Sequence, residues 1–225
     1  MSTILFVSSK SWHKEVFEEL SREIDAHWVL ISSRDEFVSE KIGQYDPAWI
    51  FIPHWSYIIP PDIYENWACV VFHMTDLPFG RGGSPLQNLI ANGFTETKIT
   101  ALKVDKEIDG GDIYLKKDLN LAGTAEEIFI RAAVIVKEMI KEIVKLNLEA
   151  APQTGEPTYY KRRKPSEGNI ETLTNISDVY DYIRMLDAET YPNAFVEVGN
   201  FRFEFKRAHL KSDNSIIADV RITKK

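Results

Sequence analysis

The 225-residue chain carries 27 basic against 34 acidic residues, a net charge of −7, and 44% of it is hydrophobic. That apolar fraction supports one full domain plus a small appendage, and the acidic balance disfavours a protein that grips a polyphosphate backbone. A single cysteine, Cys69, excludes an internal disulfide framework and a cysteine-rich zinc site, and no apolar run reaches membrane-spanning length.

The opening "MSTILFVSSK" is too short and too lightly flanked for a secretion signal, so a soluble, cytoplasmic protein is expected, with a first strand over 3–8. "SWHKEVFEELSREI" then sets Trp12, Val16, Phe17, Leu20 and Ile24 near helical spacing. A strand at 27–32, a charged helical segment "RDEFVSEKIGQY" and a strand at 48–52 follow, and "CVVF" (69–72) is a fourth strand that ends at His73. "SPLQNLIANG" places Ser84 as N-cap, Pro85 at the first helical position and Gly93 at the far end. Strand-like runs at 98–104 and 112–121 lead to a long helix, "TAEEIFIRAAVIVKEMIKEIVKL". In it Thr124 and Glu127 make a capping-box pair, and Ile128, Ala132, Ile135, Met139 and Ile143 share a face. This alternation predicts an α/β fold, a Rossmann-like, mostly parallel sheet with helices on both faces.

"EAAPQTGEPTYYKRRKPSEGN" (149–169) is rich in Pro, Gly and charge and lacks periodicity, which puts a domain boundary near residue 150. Residues 1–150 are then one domain, and 151–225 a linker plus a small α+β appendage. That appendage has a helix in "SDVYDYIRMLDAE" and antiparallel strands in "NAFVEVG", "FRFEFKRAHL" and "IIADVRITKK".

In open α/β sheets ligands bind beyond the carboxyl ends of the strands. His73, "PHWSYIIPP" (53–61) and "DKEIDGGD" (105–112) all follow strands there. A histidine beside a carboxylate suits proton transfer near neutral pH. Taken singly, however, a histidine after a strand is more often structural, and an acidic turn is more often merely solvated. "GRGG" lacks a dinucleotide fingerprint and a Lys-Ser/Thr ending, so it is no phosphate loop. No metal site is expected.

Together these residues carry a resemblance. His73, Leu77-Pro78, Arg81-Gly82, Ser84-Pro85, Gln87, Asn92-Gly93 and Ile108-Asp109-Gly110-Gly111 match in order and spacing the core of the formyltransferases that use N10-formyltetrahydrofolate. That family includes methionyl-tRNA formyltransferase, glycinamide ribonucleotide transformylase and the nucleotide-sugar N-formyltransferases. The resemblance covers residues 1 to 145. It implies His73 and Asp109 as catalytic residues, and N10-formyltetrahydrofolate, as formyl donor, against Tyr57, Ile58, Val104, Asp105 and Asp109. Thr75, Arg81, Gly82 and Arg163 are the implied acceptor contacts. The family asparagine two residues before the histidine is Val71 here. Loss of one oxyanion donor can cost roughly 3 kcal/mol of transition-state stabilisation. Either His54, Ser56, Thr75 or Asn88 substitutes, or the protein is a slow or inactive relative that binds folate or nucleotide sugar.

For the acceptor, residues 151–225 hold 12 basic and 11 acidic residues, a balance that argues against tRNA. "RRKPSEGNI", "IRML" and "YPNAF" resemble the segment after the catalytic domain of nucleotide-sugar formyltransferases. The expectation is therefore formyl transfer to a nucleotide-linked amino sugar, favouring a UDP-linked 4-amino-4,6-dideoxyhexose of pseudaminic-acid type. No nucleic-acid or membrane partner is expected, and a homodimer is compatible with this reading. A methionyl-tRNA formyltransferase-like enzyme is the alternative.

Overall fold

The computed structural model describes residues 2–225. Its main sheet is built from β1 (Thr3–Ser8), β2 (His27–Ile31), β3 (Trp49–His54), β4 (Cys69–His73), β6 (Glu96–Lys103) and β7 (Ile113–Asn120), after the two-residue strand β5 (Arg81–Gly82). Strand order is β2-β1-β3-β4-β6-β7. The first four run parallel, and β6 returns antiparallel beside β4, pairing His73 with Thr100. The mostly parallel sheet is thus as the alternating pattern predicts.

Near-continuous apolar runs form these strands because both sheet faces are covered. On one face Leu5, Val7, Ile50, Ile52 and Cys69 pack with Phe37, Ile42 and Ile63. Ile42 belongs to α2 (Ser39–Ile42) and Ile63 to α3 (Pro61–Tyr64). On the other face Phe6 meets Phe17 of α1 (Lys14–Glu23), with ring centroids 5.9 Å apart. Two further helices, α4 (Pro85–Ala91) and α5 (Ala125–Leu146), precede residue 150. Ion pairs from Lys137 to Glu19 (2.7 Å) and Lys141 to Glu23 (2.7 Å) tie α5 to α1.

Three local readings change. The charged segment 34–45 is helical only over α2, because the Glu36 carboxylate accepts the backbone N–H groups of Ser32 and Ser33 (3.0 Å each) and closes a turn instead. Ser84 stands at the N-cap of α4 but makes no capping bond. Its φ is 52°, and its Oγ accepts the N–H of Arg163 (3.1 Å). The aperiodic segment near 150–160 carries β8 (Tyr159–Tyr160), which pairs with β5. The Thr124–Glu127 capping box is present: Glu127 accepts the N–H of Thr124 (2.8 Å), and Thr124 accepts that of Glu127 (3.3 Å).

The chain divides into two compact units: Met1–Gly82, Thr97–Leu119 and Ile130–Tyr159, and Gly83–Glu96, Asn120–Phe129 and Tyr160–Lys225. The second contains α6 (Ile176–Met185) and a three-stranded antiparallel sheet of β9 (Ala194–Val198), β10 (Phe201–Leu210) and β11 (Ile216–Lys224) in the order β11-β10-β9. Within it α6 packs on α4 and β10. Arg184 of α6 donates to the carbonyls of Leu121 (2.6 Å) and Gly123 (3.0 Å).

Candidate active site

Alternation along β4 sets Cys69, Val71 and His73 on one face of the sheet. His73, at the carboxyl end, is buried. Its Nε2 lies 2.8 Å from the carbonyl oxygen of Gly80. A carbonyl only accepts, so Nε2 carries a hydrogen and the neutral ring keeps its lone pair on Nδ1. Gly80 has φ 74°, a conformation that strains any L side chain, and its turn presents that carbonyl to the ring.

Nδ1 faces Asp109 Oδ2 at 3.5 Å. Asp109 sits in the loop after β6 with φ 52°, and its Oδ2 accepts the backbone N–H of Gly82 (2.8 Å). The anchored carboxylate and the imidazole lone pair are both acceptors, so a proton arriving at Nδ1 is held between them. The tautomer is fixed by Gly80 rather than by Asp109, which sequence reasoning did not reveal.

A frame around Arg81 holds the Asp109 loop. Arg81 is only 6% exposed. Its guanidinium donates to Glu107 Oε1 (2.6 Å) and to Gln153 Oε1 (2.8 Å), and Gln153 Nε2 in turn donates to the carbonyls of Asp109 and Gly111 (2.8 Å each). Tyr159 donates its hydroxyl to Glu107 (3.1 Å). Arg81 and Gly82 were expected at the acceptor; here the side chain of one and the backbone of the other secure the loop. Thr75 is fully buried, its hydroxyl donating to Gly80 O (3.4 Å) and its carbonyl accepting from Thr100 Oγ1 (2.7 Å). Arg163 belongs to the second unit, with its guanidinium 5.2 Å from the Tyr182 ring.

The residues expected at the donor follow β3 and β6, the two strands that flank β4. Ile58 is 82% exposed, and Tyr57 is half exposed against Trp55 and beneath the Arg34 guanidinium (5.0 Å). Val104 packs on the core and gives its N–H to Cys69 O (2.9 Å), while Asp105 Oδ1 caps Glu107 N–H (2.7 Å). Open apolar and aromatic surface beside a backbone loop fits a planar heteroaromatic ring with polar edges.

Val71 pairs with Ile52 and Leu102 and packs against the apolar cluster on His73's face. It contributes no donor there. Of the residues considered as substitutes, Thr75 is engaged as above, and Asn88 of the second unit donates to the carbonyls of Gly83 (3.0 Å) and Lys161 (3.1 Å). His54 ends β3, where burial and then Lys10 lower its pKa to about 4. Nearby His13 is lowered to about 3, chiefly by burial and then by His54, and shares a 2.7 Å hydrogen bond with Ser8. Both imidazoles are therefore neutral at physiological pH. Ser56 lies exposed two residues beyond His54.

The sequence profile described as formyl transferase matches residues 8–140, and one described as methionyl-tRNA formyltransferase, C-terminal domain, matches 165–223. The chain belongs to the formyl transferase family. Membership brings with it N10-formyltetrahydrofolate as formyl donor. A methionyl-tRNA formyltransferase of Thermodesulfovibrio yellowstonii is 27% identical over 167 residues, covering 71% of this chain and 53% of that protein. The chain thus spans about half the length of that curated relative. A solved structure titled methionyl-tRNA formyltransferase from Clostridium thermocellum is 48% identical, covers all of both chains and has a TM-score of 0.97. A 4-N formyltransferase from Francisella tularensis shares the fold at 14% identity (TM-score 0.69, 97% of this chain and 96% of that one).

These findings overturn the expected sugar acceptor and the expected absence of a nucleic-acid partner. The similarity is to methionyl-tRNA formyltransferases, and it extends to the C-terminal domain, whose balanced charge points the other way. The error lies in averaging charge. A near-neutral sum over 75 positions does not set the potential of one face, and 161–164 is a run of four basic residues.

Proposed function

We propose that this protein transfers a formyl group from N10-formyltetrahydrofolate to the α-amino group of methionyl-tRNA. The observation that carries the reaction type is the Gly80–His73–Asp109 array at the end of β4. The 48% identity across the whole of the Clostridium thermocellum chain supports the acceptor.

When bound, N10-formyltetrahydrofolate supplies an activated formyl carbon. Tyr57, Ile58 and the Val104–Asp109 backbone would hold its ring system beside β4. His73 Nδ1 accepts the proton that the attacking amine must lose, since Nε2 is committed to Gly80. Asp109, fixed through Gly82, stabilises the resulting imidazolium and keeps the proton available for return to the leaving nitrogen. His54, at the end of β3, or Ser56, two residues beyond it, would supply the donor to the formyl oxygen that Val71 lacks. The basic run 161–164 supplies positive charge for the tRNA backbone.

The acceptor is tested by competition. Uncharged initiator tRNA should inhibit release of tetrahydrofolate, and the inhibition should weaken steeply with added salt. Inhibition that does not respond to salt would count against an RNA acceptor.

Val71→Asn tests whether the site is competent as it stands. The new amide enters an apolar cluster, where an unpaired polar group costs about 1–3 kcal/mol. Turnover should therefore change less than about threefold or fall. A gain of tenfold or more from a nearly inactive parent would mean that the oxyanion donor is missing.

A further inference from the structure

Residues 151–159 have the composition of a linker, yet they are hydrogen-bonded to both elements that carry the catalytic pair. All of them lie in the same compact unit as His73 and Asp109. Ala151 opens the stretch by exchanging two backbone hydrogen bonds with Ile113 at the start of β7 (2.8 and 2.9 Å). Gln153 then reaches the Asp109 loop. Its Oε1 accepts from Arg81 Nη2 (2.8 Å) and Nε (3.3 Å), and its Nε2 donates to the carbonyls of Asp109 and Gly111 (2.8 Å each). Further along, Thr158 Oγ1 accepts the N–H of Gly80 (2.7 Å), the residue whose carbonyl fixes His73. The Thr158 backbone adds two bonds, accepting the N–H of Arg81 (2.9 Å) and donating to Pro78 O (3.2 Å).

We propose that Gln153 and Thr158 are positioning residues of the formyl transfer, Gln153 setting Asp109 and Thr158 setting His73 through the Gly80 turn. One strap thereby fixes the gap between the two catalytic side chains. The inference rests on the His73–Asp109 reading of the site and does not depend on the acceptor. Chemistry admits few side chains at position 153. An arginine only donates and a carbonyl only accepts, so the group between them must accept on one side and donate twice on the other. A carboxamide does both at once. Glutamate has no donor, and asparagine is one methylene shorter. Arg81 is the crosspiece: it is buried, tied to Thr158 by its backbone and to Gln153 by its side chain, and charge-paired with Glu107 at 2.6 Å. The gap so fixed, 3.5 Å from His73 Nδ1 to Asp109 Oδ2, is wider than a formed hydrogen bond and suits two acceptors awaiting a proton. A slip at either end of the strap changes that gap.

Two measurements decide it. Gln153→Glu keeps the acceptor for Arg81 and removes both donors to the loop, so kcat should fall at least about tenfold. The KM for methionyl-tRNA should stay within about threefold, because the loss is of transition-state geometry. In the Asp109→Asn background the same change should cost less than about twofold, since no carboxylate charge is left to set. A tenfold loss in both backgrounds, or a loss in neither, would overturn the role of Gln153. Thr158→Val removes the hydroxyl but keeps both backbone bonds, and Thr158→Ser returns it. Imidazole ¹⁵N spectra read the outcome on the resting protein, with His73→Asn identifying the His73 signals. Wild type and Thr158→Ser should hold His73 protonated on Nε2, whereas in Thr158→Val the Nδ1-protonated tautomer should gain at least about fivefold in population. An unchanged tautomer in Thr158→Val would refute its role. These spectra need no substrate. A wild-type protein that leaves methionyl-tRNA unformylated would therefore count against the proposed function, while the strap is still judged by the tautomer.

Discussion

His73→Asn and Asp109→Asn are each expected to lower turnover by at least about 100-fold while leaving the fold intact. A positioned acid–base group typically contributes 10²–10⁴-fold, and here the proton can go to only one ring atom. Gly80 occupies Nε2 at 2.8 Å, and Nδ1 is the nitrogen turned toward Asp109. Asparagine at 73 can still donate to Gly80 but offers no basic nitrogen. Asparagine at 109 can still accept from Gly82 through its carbonyl oxygen but provides no negative charge to support an imidazolium. Both variants therefore preserve the hydrogen bonds that shape the site and remove its chemistry. Near-normal turnover in either, with circular dichroism and melting temperature unchanged, removes that residue from the mechanism.

Gly111→Ala is expected to reduce turnover by about 100-fold, through position rather than chemistry. A Cβ at residue 111 would overlap the carbonyl oxygen of Lys103 at the end of β6. Lys103 is held there, since its N–H donates to Asp112 O (2.8 Å). The loop must lift, and with it go the Gly111 and Asp109 carbonyls that Gln153 grips. Asp109 then leaves its place against His73, and a displacement near 1 Å in such an array can cost 10²-fold. Gly93→Ala is the control: nothing lies within 4 Å of its added Cβ, so it carries only the strain of φ 77°. Its turnover should stay within about threefold of the parent. Matching losses in both variants would show a general destabilisation instead of a displaced carboxylate.

The fold was legible because long runs carry strong signals. "TILFVS", "CVVF" and the Thr124–Glu127 helix start are each decided by local pattern and chemistry, and all three stand in the structure where the sequence places them. The failures are local competitions. At Glu36 a carboxylate capturing two backbone N–H groups outweighs helical spacing. At Ser84 a left-handed backbone turns the hydroxyl away from the helix and toward Arg163. In the site, His73 and Asp109 are recoverable from motif spacing, but Gly80, Glu107 and Gln153 are not. Gly80 acts through a carbonyl that every residue possesses. Gln153 lies 44 residues beyond the aspartate whose carbonyl it holds, in a segment whose composition reads as a linker. The acceptor was misread because composition reports a sum, whereas RNA responds to the charge of a single face.

The central claim is formyl transfer to methionyl-tRNA, and the most direct measurement follows label from [formyl-¹⁴C]-N10-formyltetrahydrofolate into acid-precipitable methionyl-tRNA. Label should appear as N-formylmethionine after deacylation, at a rate proportional to the wild-type protein and at least about 100-fold lower with His73→Asn. If the wild-type protein binds the folate and is folded, yet puts no label on methionyl-tRNA, the proposed acceptor is wrong. Label that His73→Asn incorporates at the wild-type rate would contradict the mechanism.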